Sequence, residues 1–170
     1  MTFDLDLKAA VRTIPDYPKP GILFRDISPL LKSHFTATIA ALDGLLTEAE
    51  WRAIDAVAGI ESRGFILGAA LALRRGKGFV LVRKQGKLPP PVVDVAYALE
   101  YGSGVLEMQR GQGRVLLIDD VLATGGTLSA SADLCLRAGY SVAALAVLID
   151  LKLVVDYRWR DLPLRAVVSY

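Results

Sequence analysis

The chain has 170 residues, of which 53% are hydrophobic and 22% are charged, so its composition excludes a disordered or low-complexity protein. Its length suits one domain of ordinary size with a real hydrophobic core. The 20 basic and 18 acidic residues leave a net charge of +2, which is too even for a nucleic-acid coat or a polybasic membrane anchor.

Cysteine and histidine are too scarce to build a metal site. The single cysteine, Cys135, cannot form a disulfide within the chain, and together with the single histidine, His34, it provides no ligand set for a structural zinc ion. Cys135 lies among apolar residues of a predicted helix, so we expect it to be buried and unreactive. His34 is expected near a helix start, without a catalytic role.

The mean hydropathy of +0.40 raises the question of a membrane span. The densest apolar run, Val142 to Ile149, is bounded by Ser141 and Asp150 and is far shorter than the ~20 residues that cross a bilayer. The N-terminus begins acidic and lacks the basic-then-apolar order of a signal peptide. We therefore predict a cytoplasmic protein with no membrane or nucleic-acid partner, whose excess apolar residues serve a subunit interface.

The first part of the chain mixes helical patterns with prolines. Segments Asp4–Arg12 and His34–Glu48 are predicted as helices that serve mainly for packing. Between them, the prolines at positions 15, 18, 20 and 29 restrict the backbone. They predict an irregular, stiffened segment over Asp16–Pro29.

The remainder alternates apolar runs with helical patterns. We predict strands at residues 54–60, 78–82, 114–118 and 142–149, where near-continuous Val, Ile and Leu is typical of strands buried on both faces of a parallel sheet. Helices are predicted at Phe65–Arg74 and Thr127–Arg137, the second with Gly139 as its stop signal. Strand and helix in alternation predict an α/β fold with a central, mainly parallel sheet flanked by helices.

Two further segments interrupt or close this pattern. Arg83–Gly104 begins basic and contains three consecutive prolines, which predicts a long flexible loop at about residues 84–104. It includes a β-hairpin that pairs Val95–Tyr101 with Val105–Gln109 and turns at residues 102–104. One closing strand is expected near Arg165–Ser169.

The most informative stretch runs from Val115 to Thr127. An apolar strand ends in two adjacent carboxylates, Asp119 and Asp120, passes through a loop of small residues and enters a helix at Thr127. In an open α/β sheet, ligands bind beyond the carboxyl ends of the strands. Bare backbone amides at a helix N-terminus favour a phosphate, and the two acids accept hydrogen bonds from vicinal hydroxyls. The stretch therefore predicts a sugar phosphate site.

Other phosphate motifs do not fit this stretch. No lysine follows Gly125 and Gly126, as a Walker loop requires, and the Gly-x-Gly-x-x-Gly fingerprint of dinucleotide sites is absent. A solvated connection between strand and helix, without a ligand, remains the structural alternative.

The same stretch resembles the signature of the type I phosphoribosyltransferases, which bind 5-phosphoribosyl 1-diphosphate. Within that family, the chain is most similar to the members that act on adenine. The resemblance implies a single domain over residues 1–170, with an N-terminal hood at about residues 1–33 and a flexible hairpin loop. The other blocks that carry it are Asp16–Leu31, Gly59–Phe65, Val82–Pro89 and Leu99–Gly102.

The resemblance implies three groups of binding residues. Those implied to hold the ribose and its 5-phosphate are Asp119, Asp120, Ala123, Thr124, Gly125, Gly126 and Thr127. Those implied to hold diphosphate are Glu61, Ser62, Arg63, Arg83, Lys84, Lys87 and Tyr101. Those implied to hold adenine are Leu23, Phe24 and Arg25. The family also often carries a non-proline cis peptide bond, which here would join Glu61 to Ser62.

Catalytic roles are implied for Glu100, Arg63 and Lys84. Glu100 would act as a general acid or base on the N7 proton of the purine, and Arg63 would form a bidentate contact with phosphate oxygens. Lys84 belongs to a basic lid that would close over the departing diphosphate and exclude water. The sequence leaves a structural alternative open for each of these residues. Arg63 would form a surface salt bridge, and the basic lid would be a solvated loop. Glu100 would be an exposed strand residue, and Phe24 would belong to the core.

The implied reaction transfers a 5-phosphoribosyl group to adenine and gives AMP and diphosphate. Mg²⁺ would travel with the sugar diphosphate instead of binding the protein directly, and the protein would act as a homodimer. Two alternatives remain. One is the same transfer to a 6-oxo purine, and the other is a non-catalytic regulator that keeps the fold to sense nucleotides.

Overall fold

The structure, a computed structural model, describes residues 6–98 and 103–170. The chain divides into two compact units, Met1–Ala41 and Leu42–Tyr170. The hood expected at about residues 1–33 stays a prediction. No helix in the described residues is both long enough and apolar enough to cross a membrane.

The first unit contains a two-stranded antiparallel sheet followed by helices. Strand β1 (Arg12–Pro15) pairs with β2 (Leu23–Asp26), and α1 (Ser28–Ser33) and α2 (Phe35–Asp43) follow, the last two residues of α2 belonging to the second unit. The Asp26 carboxylate accepts hydrogen bonds from the backbone and side chain of Ser28 and pairs with Arg12 at 2.6 Å. The Ser28 bonds, aided by Arg12, lower the pKa of Asp26 to about 2. This carboxylate therefore joins the sheet to the start of α1.

One prediction for this unit was wrong, and another holds in part. The predicted helix Asp4–Arg12 is replaced, over its described residues, by a turn, because the Asp6 carboxylate accepts the backbone amides of Lys8 and Ala9. Arg12 then belongs to β1. Of the predicted irregular segment Asp16–Pro29, residues 16–22 form turns and bends as expected, whereas residues 23–26 form β2 through pairing with β1.

The predicted helix His34–Glu48 is also shorter than expected. Helix α2 ends at Asp43, and a separate helix, α3 (Glu48–Arg52), begins in the second unit. Thr47 starts α3 with a complete capping box, in which its side chain accepts the Glu50 amide and the Glu50 carboxylate accepts the Thr47 amide. This cap gives α3 its own start and so divides the segment.

The second unit is built around an eight-stranded sheet in its described part. The strands lie in the order β5-β6-β4-β3-β7-β8-β10-β9. After α3, the elements in chain order are β3 (Ala56–Ile60), α4 (Arg63–Arg75), β4 (Gly78–Lys84), β5 (Val92–Ala98), β6 (Ser103–Gln109), β7 (Gly113–Leu122), α5 (Gly126–Ala138), β8 (Tyr140–Asp150), β9 (Arg158–Trp159) and β10 (Leu162–Ser169).

The sheet confirms the predicted fold class. Strands β4, β3, β7, β8 and β10 are parallel neighbours, and the antiparallel pairs β5–β6 and β9–β10 lie at its two ends. Residues 115–118 of β7 and 145–149 of β8 are fully buried, as expected for strands covered on both faces. Cys135 is fully buried on α5, and this burial raises the pKa of its thiol to about 12.

In the segment predicted as a flexible loop with a β-hairpin, described residues 85–91 form turns and bends, and residues 92–98 and 103–104 are strand. Its hairpin begins at Val92, earlier than expected, and Ser103 and Gly104 belong to β6, where they pair with Ala98 and Tyr97. Residues 99–102, including Gly102 of the predicted turn, lie outside the described residues. The closing strand expected near Arg165–Ser169 is present as β10.

Two helix C-terminal glycines provide a matched test of backbone packing. Gly139 after α5 and Gly76 after α4 have φ of +105° and +61°. A Cβ at Gly139 would lie 2.3 Å from the Gly111 carbonyl oxygen, whereas a Cβ at Gly76 would meet nothing within 4 Å. We expect Gly76→Ala to lower the free energy of unfolding by about 1 kcal/mol, the cost of left-handed backbone alone.

Gly139→Ala should lower the free energy of unfolding by more, about 2–4 kcal/mol, because the Gly111 backbone must also move. Urea denaturation followed by circular dichroism measures both losses. Equal losses for the two variants would contradict the packing described for Gly139.

Candidate functional site

Three adjacent parallel strands bring the predicted motifs to one edge of the sheet. Register pairs Gly59 of β3 with Ile118 of β7, and Ile60 with Val82 of β4. The carboxyl ends of these strands therefore lie side by side. The loop with Glu61, the basic segment after Val82 and the turn after β7 emerge there together, as ligand sites in open α/β sheets require.

A cleft lies at the turn after β7. We call residues 123–127, between the end of β7 and the first turn of α5, the phosphate loop. Asp119 lines the same cleft as most of this loop. The complete lining is Asp119, Val121, Leu122, Ala123, Thr124, Gly125, Thr127 and Leu128. Gly126 lies beside the hairpin, since a Cβ there would be 3.3 Å from the carbonyl oxygen of Ala98.

The two helices that start at this edge both lack a side-chain cap. The N-cap residues of α4 and α5, Ser62 and Gly125, form no capping hydrogen bond, and neither helix has an acidic residue in its first turn. Helix α3 differs, with the Thr47 capping box and two glutamates in its first turn. The first amides of α4 and α5 have no acceptor within their helices, and both positive dipole ends point to the site edge. Such ends favour an anion.

The two adjacent acids occupy different surroundings. Asp119 lines the cleft, and its Oδ1 accepts the Asp120 amide at 2.8 Å. Asp120 is buried, and its Oδ2 lies 2.6 Å from Arg63 Nε in an ion pair without the alignment of a hydrogen bond. Burial, together with the charge of Asp120, raises the pKa of Asp119. Arg63, expected at diphosphate, thus links the start of α4 to the acids, and its side chain is 37% exposed.

The Glu61 carboxylate contacts three residues of the basic segment, Arg83, Lys84 and Lys87. Lys87 Nζ lies 2.7 Å from Glu61 Oε1, while Arg83 Nε lies 3.5 Å and the Lys84 amide 2.9 Å from Oε2. The Arg83 guanidinium also lies over the Phe65 ring, 5.6 Å from its centroid. Although burial opposes ionisation, the Lys87, Lys84 and Arg83 contacts lower the pKa of Glu61 to about 2. The carboxylate is therefore an anion that holds the cations expected to bind diphosphate.

Glu107 is a site-supporting residue that sequence analysis missed. Its buried carboxylate accepts the backbone amides of Gly86, Lys87 and Leu88 at 3.0, 2.7 and 2.6 Å. Burial opposes ionisation here too, but these amides lower the pKa of Glu107. A charged residue between Leu106 and Met108, both buried, was the available signal. Its partners lie about 20 positions away, so the sequence could not name them.

The remaining predicted residues do not all fall within this edge. Glu100 and Tyr101 lie outside the described residues. Leu23, Phe24 and Arg25 belong to β2 of the first unit, where Leu23 is 55% exposed and the Phe24 ring meets Tyr17 edge-on at 5.1 Å. Their role toward adenine stays a prediction. The expected cis peptide bond between Glu61 and Ser62 is present.

Comparison with known proteins places this arrangement in a family. A family model described as phosphoribosyl transferase domain matches residues 35–157. A protein of Bdellovibrio bacteriovorus named adenine phosphoribosyltransferase is 49% identical over 166 residues, which cover 98% of this chain and 100% of that protein. An adenine phosphoribosyltransferase of Hydrogenovibrio crunogenus is 48% identical over 161 residues, or 94% of each chain.

Solved structures agree. Adenine phosphoribosyltransferase from Thermoanaerobacter pseudethanolicus superposes with a TM-score of 0.87 at 40% identity, over 96% of this chain and 98% of that one. The Saccharomyces cerevisiae enzyme, complexed with an imino-altritol bisphosphate and adenine, gives a TM-score of 0.85 at 34% identity, over 95% and 96%. The Giardia lamblia enzyme, complexed with 9-deazaadenine, gives a TM-score of 0.81 at 37% identity, over 97% of this chain and 96% of that one.

The Glu61 cluster predicts a specific pH dependence of stability. The folded-state pKa of about 2 lies below the ordinary value of 4.5, so the cluster stabilises the fold fully above pH 4.5. That stabilisation is lost as the pH falls from there through 2. We expect the difference in unfolding free energy between wild type and Glu61→Gln to shrink over this interval. Urea denaturation at stepped pH measures it, and a pH-independent difference would contradict the cluster.

Proposed function

The chain belongs to the phosphoribosyl transferase family, and from that premise we propose that it transfers the 5-phosphoribosyl group of 5-phosphoribosyl 1-diphosphate to adenine, giving AMP and diphosphate. The observation that carries this proposal is the phosphate loop, most of whose residues line one cleft with the Asp119 carboxyl group, at the start of a helix that no side chain caps. Relatives about half identical over nearly the whole chain carry the name of this activity, which supports adenine as the acceptor.

The ribose 5-phosphate would bind at the phosphate loop. Its phosphate oxygens would accept the amides of Gly126 and Thr127, at the positive end of α5. The Thr124 and Thr127 hydroxyls can add hydrogen bonds. The ribose hydroxyls would contact Asp119 and, next to it, Asp120. Binding of phosphate and hydroxyls at neighbouring points fixes the orientation of the sugar and of its reacting C1 carbon.

The diphosphate would bind where Glu61 now holds the cations. Arg83, Lys84 and Lys87 carry the positive charge that a diphosphate needs, and the uncapped start of α4 at Ser62 lies on the same edge. A diphosphate carries more charge than one carboxylate, so it can compete with Glu61 for these side chains. Their charge would stabilise the departing diphosphate, while a closed basic segment would exclude water from the cationic ribosyl carbon.

The base and its proton complete the reaction. We propose that Phe24 stacks on the purine and that the backbone of Leu23 and Arg25 distinguishes adenine from 6-oxo purines, since a mismatched donor would be left unpaired. Glu100 would manage the N7 proton as the bond to N9 forms, with Tyr101 packed near the ribose and diphosphate. The resemblance to the family supports these four assignments.

Mg²⁺ is proposed to arrive as part of the substrate. Bound to the substrate, it would supply positive charge that offsets the negative charge of the diphosphate as this group departs. Among residues 6–98 and 103–170, no three His, Cys, Asp or Glu side chains form a group that could hold a metal ion. A substrate-borne ion needs no such group.

A homodimer in the cytoplasm is our proposal for the working form. Ile66 and Leu73 of α4 are 45% and 84% exposed and lie seven positions apart, so they share one face of the helix. Together with the mean hydropathy of +0.40, this exposure supports a second copy as the partner. Light scattering after size exclusion measures the mass, and a monomer at micromolar concentration would contradict it.

Base competition tests the proposed function most simply. Purified protein with 5-phosphoribosyl 1-diphosphate and Mg²⁺ is given adenine, hypoxanthine and guanine at equal concentration, and products are separated by chromatography. We expect AMP to dominate. Preference for a 6-oxo purine would favour the alternative acceptor, and binding of the sugar diphosphate without any nucleotide product would favour a non-catalytic regulator.

Removal of one charge at the cleft tests the ribose assignment. Asp119→Asn and Asp120→Asn should each lower kcat/KM for AMP formation at least tenfold, because an amide cannot replace the carboxylate toward hydroxyls and cationic sugar. Asp161→Asn, at an exposed position between β9 and β10, is the matched control and should keep wild-type rates. Unchanged rates in both site variants would contradict the assignment.

A further inference from the structure

A tyrosine from the C-terminal part of the chain lies against the phosphate loop. Tyr157 follows β8, in the segment before β9, and its hydroxyl lies 2.7 Å from Ser129 Oγ and 3.4 Å from the carbonyl oxygen of Gly125. Its ring packs on the core that α5 covers. It is not among the residues that line the cleft. Tyr157 therefore contacts the loop from behind.

The ring and Gly125 are in direct contact. A Cβ at Gly125 would lie 2.4 Å from Tyr157 Cε2 and 2.8 Å from Cδ2, so only glycine lets the loop approach the ring this closely. Gly125 also has φ of +85°, in the left-handed region that favours glycine. The position of the loop backbone is thus set by the surface of one aromatic ring.

The hydrogen bonds around Gly125 fix one peptide plane. Its carbonyl oxygen accepts the backbone amide of Ser129 at 2.9 Å as well as the Tyr157 hydroxyl. A consistent proton arrangement lets Ser129 Oγ donate to Tyr157, and lets Tyr157 donate to Gly125. Burial raises the pKa of Tyr157, which keeps its hydroxyl protonated for this donation.

This plane carries the Gly126 amide, which the proposed function assigns to the 5-phosphate. The Gly125 carbonyl and the Gly126 amide belong to the same planar trans peptide group, in which they point in opposite directions. Any contact that holds the carbonyl therefore also directs the Gly126 N–H. Tyr157 and Ser129 hold the carbonyl on the side of α5, which leaves the N–H free to face away from them.

We propose that Tyr157 is a positioning residue for the 5-phosphate, acting through the Gly125–Gly126 peptide group. This inference rests on the proposed function and adds a specific support for one of its two phosphate subsites. Ser129 is the intermediate contact. The diphosphate subsite, built on Glu61, Lys87 and Glu107, shares no contact with Tyr157 among those described above.

The experiment compares two probes on matched variants. Isothermal titration calorimetry measures the affinities for ribose 5-phosphate and for pyrophosphate in wild type, Tyr157→Phe and Tyr157→Leu. Loss of one neutral hydrogen bond is worth about 0.5–1.5 kcal/mol, so Tyr157→Phe should weaken ribose 5-phosphate about 2–12-fold. Tyr157→Leu, which also removes the ring, should weaken it further. The affinity for pyrophosphate should stay within about twofold of the wild-type value, because the diphosphate subsite is separate from Tyr157.

Kinetics and controls complete the test. In Tyr157→Phe, KM for the sugar diphosphate should rise by the same factor while kcat stays near its wild-type value, as expected for binding that the ground and transition states share. Ser129→Ala should show the same selective loss. Tyr140→Phe, at the start of β8, is a matched control, since its ring packs at Gly111. It should change neither affinity.

Two outcomes overturn the inference. One is wild-type affinity for ribose 5-phosphate in Tyr157→Phe, Tyr157→Leu and Ser129→Ala. The other is an equal loss of both probes, which would mean that Tyr157 supports the fold generally. Absence of ribose 5-phosphate binding in the wild type itself is a different result, and it would contradict the proposed function.

Discussion

The site depends on the first amides of a helix, which have no acceptor within that helix and no side-chain cap among the described residues. A side chain can cap the first turn of a helix, as Thr47 does for α3, but α5 begins at Gly125 with no such cap. The loop can take this form because Gly125 rests on the Tyr157 ring and its carbonyl is bound from behind. We propose that a phosphate accepts these amides, which would fix its position at the end of β7.

The cations around Glu61 lie at the same sheet edge, and they differ from the amides of the phosphate loop because they already have a partner. Glu61 pairs with Lys87, and Glu107 holds the backbone of the segment that carries Lys87. In the proposed function, the phosphate loop would accept an anion directly, whereas a diphosphate would have to compete with Glu61 for the cations of the basic segment. The sugar phosphate and the leaving diphosphate would then have separate supports at one sheet edge, where Arg63 pairs with Asp120.

Local signals made much of this predictable from the sequence. Apolar runs predicted the strands around the phosphate loop, and Gly139 predicted the end of the helix that follows it. The residues from Asp119 to Thr127 lie in one short stretch, which predicted a sugar phosphate site. The Asp4–Arg12 helix was wrong because the Asp6 carboxylate closes a turn and Arg12 pairs with distant Asp26. Glu107 and Tyr157 were missed for the same reason, since their partners lie about 20 and 30 positions away and no pattern of nearby residues encodes them.

The central claim is that the free amides of the phosphate loop bind the phosphate of the nucleotide. Titration of ¹⁵N-labelled protein with AMP, followed by amide resonances, observes those groups directly. We predict saturable shifts that are largest at Thr124, Gly125, Gly126 and Thr127, with the Gly126 resonance moving in the direction of a new hydrogen bond to an anion. Saturation of the protein with AMP while these resonances stay in place would contradict the account.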